Sequence, residues 1–106
     1  MIKVDIYRNA AGSIYRYVVT GHANTAPYGQ DIVCAGVSAL TQTAVLGLKQ
    51  QLGREFSLTV KSGKIDVELQ DPPDEMTAAI LETMLLGLKE IAKINPDSVR
   101  IAEHRR

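Results

Sequence analysis

Apolar and polar positions alternate from the first residues. Ile2, Val4 and Ile6 interleave with Lys3, Asp5 and Tyr7, a period of two that predicts a strand with one buried face. Residues 9–13, with Gly12 free to take positive φ, supply turn chemistry, and the β-branched and tyrosine-rich run Ile14–Thr20 then completes a β-hairpin. Bulk falls on both faces of that second strand: Ile14, Arg16 and Val18 on one, Tyr15, Tyr17 and Val19 on the other. It therefore reads as a central strand covered twice. Gly21 ends it. Residues 23–30, with Pro27 and Gly29, follow neither period and read as a mobile loop.

Helical spacing begins at Val33 and continues through Val37, Leu40, Ala44, Leu48 and Leu52, with Asp31 as the N-cap and Gly53 as the closing C′ residue. Ala35, Gly36, Ala39, Ala44 and Gly47 are small enough to admit a close neighbour. Residues 57–61 and 64–70 flank Ser62-Gly63 as a second hairpin, its second strand alternating Ile65, Val67 and Leu69 with polar residues. Asp71-Pro72-Pro73-Asp74 stops that strand and opens a second helix, striped by Ile80, Met84, Gly87, Leu88, Ile91 and Ile94. Residues 98–102 can add a short last strand, leaving Glu103, His104, Arg105 and Arg106 as a frayed polar tail. The order is β-β-α-β-β-α-β. One-faced strands imply two layers, so the expected fold is α+β, a mixed sheet with two helices on one face.

A chain of 106 residues fits one domain, 1–106, able to close a modest core. Its 12 basic and 12 acidic side chains cancel, so no global field steers it onto nucleic acid or an anionic membrane. Neither is expected as a direct partner, and the longest apolar runs read as too short to span a bilayer. Cys34 is the only cysteine and cannot form an internal disulfide, which points to the cytoplasm. One cysteine and two histidines fall short of a ligand set, so neither a metal nor another cofactor is expected.

The candidate chemistry lies in residues 21–40. With Asp31 as the cap, Cys34 falls in the first helical turn, where unpaired N–H groups and the helix dipole favour a thiolate. Such surroundings and a histidine partner typically draw a thiol from ~8.5 to about 3.5–7.5. The N–H groups of Cys34 and Ala35 are then candidate oxyanion donors. A bland reading stands beside each of these. Free cysteine is also a common core residue, His22 can be an idle residue at a strand end, and Asp31 either orients the His22 ring or only caps the helix. Ser38, one turn beyond Cys34, either bonds a site group or bonds the helix backbone. His104 is set aside.

Gly21-His22-Ala23 at a strand end, a short loop, and Asp31-Ile32-Val33-Cys34-Ala35-Gly36-Val37-Ser38 opening a helix resemble the bacterial family of ribosomal-processing cysteine proteases, Prp. The element order and the Asp-Pro-Pro start of the second helix agree with that family over nearly the whole chain. The resemblance implies a cytoplasmic, homodimeric endopeptidase that removes an N-terminal extension from ribosomal protein twenty-seven of the large subunit. It also implies Cys34 as nucleophile, His22 as general base and acid, and Gly21, Asp31, Ser38 and Ala35 as supporting positions. A loop closing over the site would hinge at Gly21 and Gly29. The apolar, aromatic extension would need a hydrophobic groove, placed here beside Tyr28, Tyr15 and Tyr17, tyrosines that fit a dimer contact equally well. The alternatives from other classes are a noncatalytic ribosome-associated protein-binding module with Cys34 buried, and a thiol redox sensor, which lacks a resolving cysteine within the chain.

Overall fold

Five strands form one mixed sheet in the order β3-β4-β2-β1-β5. The computed structural model describes residues 1–21 and 28–106, with 28–31 as backbone only. The elements are β1 Ile2–Arg8, β2 Ile14–Thr20, helix α1 Tyr28–Leu46 continued by a π-helical turn Gly47–Gln51, β3 Phe56–Lys61, β4 Lys64–Leu69, helix α2 Glu75–Ile94 and β5 Val99–Arg105. Both helices pack on one face, as the α+β reading requires, and β2 is central.

The central pair is antiparallel, with Val4 beside Val19 and Ile6 beside Tyr17. A bulge then places Arg8 opposite Ile14 and Tyr7 opposite Arg16, leaving Tyr15 as the extra residue. It shifts the phase of β2, so Ile14, Tyr17 and Val19 all reach the helix-side core. Simple alternation had put Ile14 on the opposite face from the other two. Tyr17 is fully buried, and its hydroxyl donates to the Thr41 carbonyl of α1 at 2.8 Å. Burial pushes its phenol pKa well above the ordinary range.

Helix α1 and its π-helical turn bury Val33, Val37, Ala44 and Leu48 of the expected stripe, Leu40 and Leu52 are only partly buried against the same core, and Gly53 closes the helix at φ +61°. Its glycines receive side chains of α2: a Cβ at Gly36 would stand 3.2 Å from Ile91 Cδ1, and one at Gly47 3.0 Å from Ile80 Cδ1. Ile32–Gln51, at mean hydropathy 1.4, is long and apolar enough by length and composition to cross a membrane, contrary to the sequence-based expectation. Lys49 is the one charged residue there, and the helix spends its apolar stripe on the core.

Helix α2 starts as its sequence predicts. Asp74 Oδ1 accepts from the Met76 and Thr77 amides at 3.0 Å each, while Thr77 Oγ1 accepts from the Asp74 amide at 2.9 Å, a reciprocal capping box. Arg54 secures the preceding turn through Asp71, Asp74 and the Pro72 carbonyl. Ile94, assigned to the buried stripe by spacing, is the last residue of α2 and is 76% exposed.

The expected frayed tail is ordered. β5 continues to Arg105, parallel to β1 over its whole length. Arg8 binds Glu103 at 2.9 Å and Glu82 of α2 at 2.7 and 3.0 Å, and Lys89 also pairs with Glu103 at 3.2 Å. On the open face of the sheet, His104 Nε2 lies 2.7 Å from Asp5 Oδ1 and its ring stacks on Tyr7 at 4.8 Å. The polar residues that made the end of the chain look frayed are the ones that fasten it.

Candidate active site

Three elements meet around Cys34. α1 carries it, the end of β2 brings Gly21, and the β3–β4 hairpin closes the side, enclosing a groove of about 450 Å³. Cys34 is half-buried: it packs against the core beneath and lines the groove above. A thiol sealed within the core is therefore excluded. Ser38, one turn further along, lines the same groove, while Ala35 is exposed beside it.

Gly21 shows why glycine stands before His22. Its φ is +93°, and a Cβ there would collide with the Met1 carbonyl oxygen. Its N–H donates to the Gly63 carbonyl at 2.9 Å, which fixes the strand end against the hairpin. Gly21, the residue directly before His22, lines the same groove as Cys34. His22, and the loop with it, lies outside the described residues, as does the side chain of Asp31.

The start of α1 corrects two expectations. The helix begins at Tyr28, so residues 28–30 are helical, Gly29 is not a loop hinge, and Asp31 is the fourth helical residue instead of the cap. Cys34 is consequently the seventh. In a regular helix the amides of Cys34 and Ala35 are then bonded to carbonyls four residues back, so they are not free oxyanion donors. The dipole effect, confined to the first turn, is also largely lost to the sulfur. An Asp-Ile-Val-Cys run looks like a capped start only while the preceding residues are taken for a loop.

A largely apolar groove exists, but not beside Tyr15 and Tyr17, while the side chain of Tyr28 lies outside the described residues. Tyr17 is core, and Tyr15 lies on the open sheet face with Arg106 over its ring at 4.4 Å. The apolar lining comes instead from Val45 and Leu46 of α1 and from Leu58 and Val60 of β3. The sequence signal that could have found the latter pair is the alternation of Phe56, Leu58 and Val60 with Ser57, Thr59 and Lys61 on an edge strand. Among the described residues, no group of three His, Cys, Asp or Glu side chains could hold a metal ion.

Comparison with known proteins decides the family. Residues 1–100 match the family model described as cysteine protease Prp. The chain belongs to this family. Curated Prp relatives described as ribosomal processing cysteine proteases are 32% identical over 104 residues in Staphylococcus aureus and 35% identical over 107 residues in Bacillus subtilis. Each alignment takes in 95% of this chain, and 97% and 96% of the respective relatives. Among solved structures, SMU.848 from Streptococcus mutans superposes with a TM-score of 0.89 at 29% identity, covering 100% of this chain and 96% of that one. The S. aureus Prp crystallised with a substrate peptide gives 0.89 at 28% identity, covering 97% of this chain and 99% of that one. The same S. aureus protease with a covalently linked product peptide gives 0.88 at 30% identity, with the same coverage. The Prp chain described here is thus a cysteine protease with the mixed five-stranded, two-helix fold of its family.

Proposed function

We propose that Cys34 is the nucleophile and His22 the general acid and base of an endopeptidase that removes the N-terminal extension of ribosomal protein twenty-seven of the large subunit. The observation that carries this reading is the half-buried Cys34 thiol in a groove whose wall is built by Gly21, the residue directly before His22. The ribosomal-processing relatives and the peptide-bound S. aureus structures support it. The reading takes the whole of 1–106 as a single catalytic domain, working in the cytoplasm as a homodimer and requiring neither metal nor cofactor.

The thiolate attacks the scissile carbonyl carbon, and collapse of the tetrahedral intermediate breaks the C–N bond as protonated His22 delivers its proton to the leaving amine. Neutral His22 then takes a proton from water, which attacks the acyl-enzyme, and the thiolate departs, restoring the starting ion pair. With the Cys34 and Ala35 amides engaged in the helix, stabilising the thiolate falls chiefly to the imidazole. Asp31 is the orienting third member of a triad, and Ser38, one turn beyond Cys34, supports a site group.

The test is a peptide spanning the extension junction. Wild-type protein should yield two fragments by mass spectrometry. Cys34→Ala should bind the peptide without cutting it, and His22→Ala should cut at least about 100-fold more slowly. Undiminished cleavage by Cys34→Ala would remove the proposed nucleophile.

A further inference from the structure

The 12 basic and 12 acidic side chains cancel over the chain but not over its surface. The ladders set one line of residues straight across the open face of the sheet: Lys61 opposite Lys64, Lys64 opposite Thr20, Thr20 opposite Lys3, and Lys3 opposite Arg100. All five strands contribute, and every member except Thr20 is an exposed cation. At about 4.8 Å per strand the line runs on the order of 19 Å. Like charges directly opposite each other destabilise a sheet, and two such pairs, Lys61 with Lys64 and Lys3 with Arg100, stand in this one line.

The carboxylates of the same face do not neutralise the line. Arg16 holds Asp66 through hydrogen bonds of 3.0 and 2.7 Å and stands 3.8 Å from Glu68, while His104 holds Asp5 at 2.7 Å. Lys3 comes no nearer to Asp5 than 4.0 Å, and Lys64 acts on Asp66 through its field alone. Among the described residues, Lys61 and Arg100 have no ion-pair partner. Such a row favours any anion that covers it. A phosphodiester chain bears a charge at every link and meets each cation in turn, whereas a peptide would need a run of acidic residues in register. We infer that Lys61, Lys64, Lys3 and Arg100 form a docking track for the phosphate backbone of RNA. Lys61 and Lys64 also line the groove that holds Cys34, so the track begins at the groove. RNA is the polymer that accompanies a ribosomal protein, and only the choice of RNA over DNA rests on the proposed function.

The test is fluorescence anisotropy of a labelled oligouridylate of about 12 nucleotides titrated with the full chain. With each of the named cations on one phosphate of a single strand, log affinity should fall with log salt at a slope of about −2.8, so binding weakens about 50-fold between about 50 and 200 mM salt. Lys3→Gln, Lys61→Gln, Lys64→Gln and Arg100→Gln should each reduce that slope by about 0.7, and the Lys3→Gln, Arg100→Gln double variant by about 1.4. Lys49→Gln and Lys93→Gln change exposed lysines on the helical side and should alter neither slope nor affinity. Melting temperatures of the row variants should be no lower than that of wild type, since each replacement relieves repulsion. An oligouridylate that does not bind at about 50 mM salt, or one whose slope is the same for wild type and the row variants, would overturn the track. Polyglutamate of equal charge that competes at equal concentration would assign the row to an acidic protein instead, and tighter binding of duplex DNA of equal length would assign it to DNA. Sedimentation in which the row variants dissociate a wild-type dimer would give the row to a second copy of the chain. None of these results bears on the peptidase, which is read by cleavage of the junction peptide.

Discussion

Gly21 holds the most constrained backbone near the site. With φ at +93° and the Met1 carbonyl where a Cβ would go, Gly21→Ala should cost at least about 1–3 kcal/mol from backbone strain, measured by urea unfolding. Cleavage should fall more steeply than stability, because the strand end that leads to His22 must move. Tyr17→Phe is the milder counterpart. It removes one buried hydrogen bond to the Thr41 carbonyl and should cost about 1 kcal/mol with activity retained, since the ring still fills the core. Cys34 stood out in the sequence as the one cysteine of the chain in a specific flanking motif, and the structure places it in the groove, whereas His22 lies outside the described residues. The groove walls did not stand out, because Leu58 and Val60 show their meaning only once the hairpin is seen to close the groove.

At the scale of elements, local signals served well where the partner was near in sequence. The alternation of β1, the Gly63 turn of the second hairpin and the start of α2 after Asp71-Pro72-Pro73-Asp74 all form where the residues predicted. Failures arose where a distant element decides. β5 was expected to end at Ala102, yet its pairing with β1 carries it on to Arg105, with Glu103 held by Arg8 from the other end of the chain. Removing residues 103–106 should therefore lower the melting temperature by about 5 °C or more, read by circular dichroism, where a frayed tail would leave it unmoved. The start of α1 was misplaced for a different reason: Asp31 is a good cap by residue type, and nothing local forbids a helix from beginning four residues earlier.

For the whole molecule, the layer arrangement was legible because one-faced strands and two amphipathic helices admit few packings. The bulge in β2 was not, since a single extra residue leaves no mark on composition. The cross-sheet ion pairs set the acid response of the fold. Hydrogen bonding from Arg16 holds the Asp66 carboxyl below its usual range, and bonding from Arg8 and then Lys89 does the same for Glu103. Carboxyls depressed in the folded state stabilise it fully above their unfolded values of about 4 and lose that contribution as pH falls through the folded ones. An Asp66→Asn, Glu103→Gln double variant should be less stable than wild type at pH 7 but converge with it in acid. Its melting temperature should thus vary less across about pH 5 to 2.5.

The parallel pairing of β1 with β5 also fixes where the two ends of the polypeptide emerge. The Met1 carbonyl sits against Gly21, which lines the groove, whereas the Arg106 amide donates to the Arg8 carbonyl at the opposite end of β1. A purification handle fused after Arg106 would trail away from the thiol. The same handle fused ahead of Met1 would start next to Gly21, a residue of the groove lining, where its effective concentration would let it compete with a peptide supplied in trans.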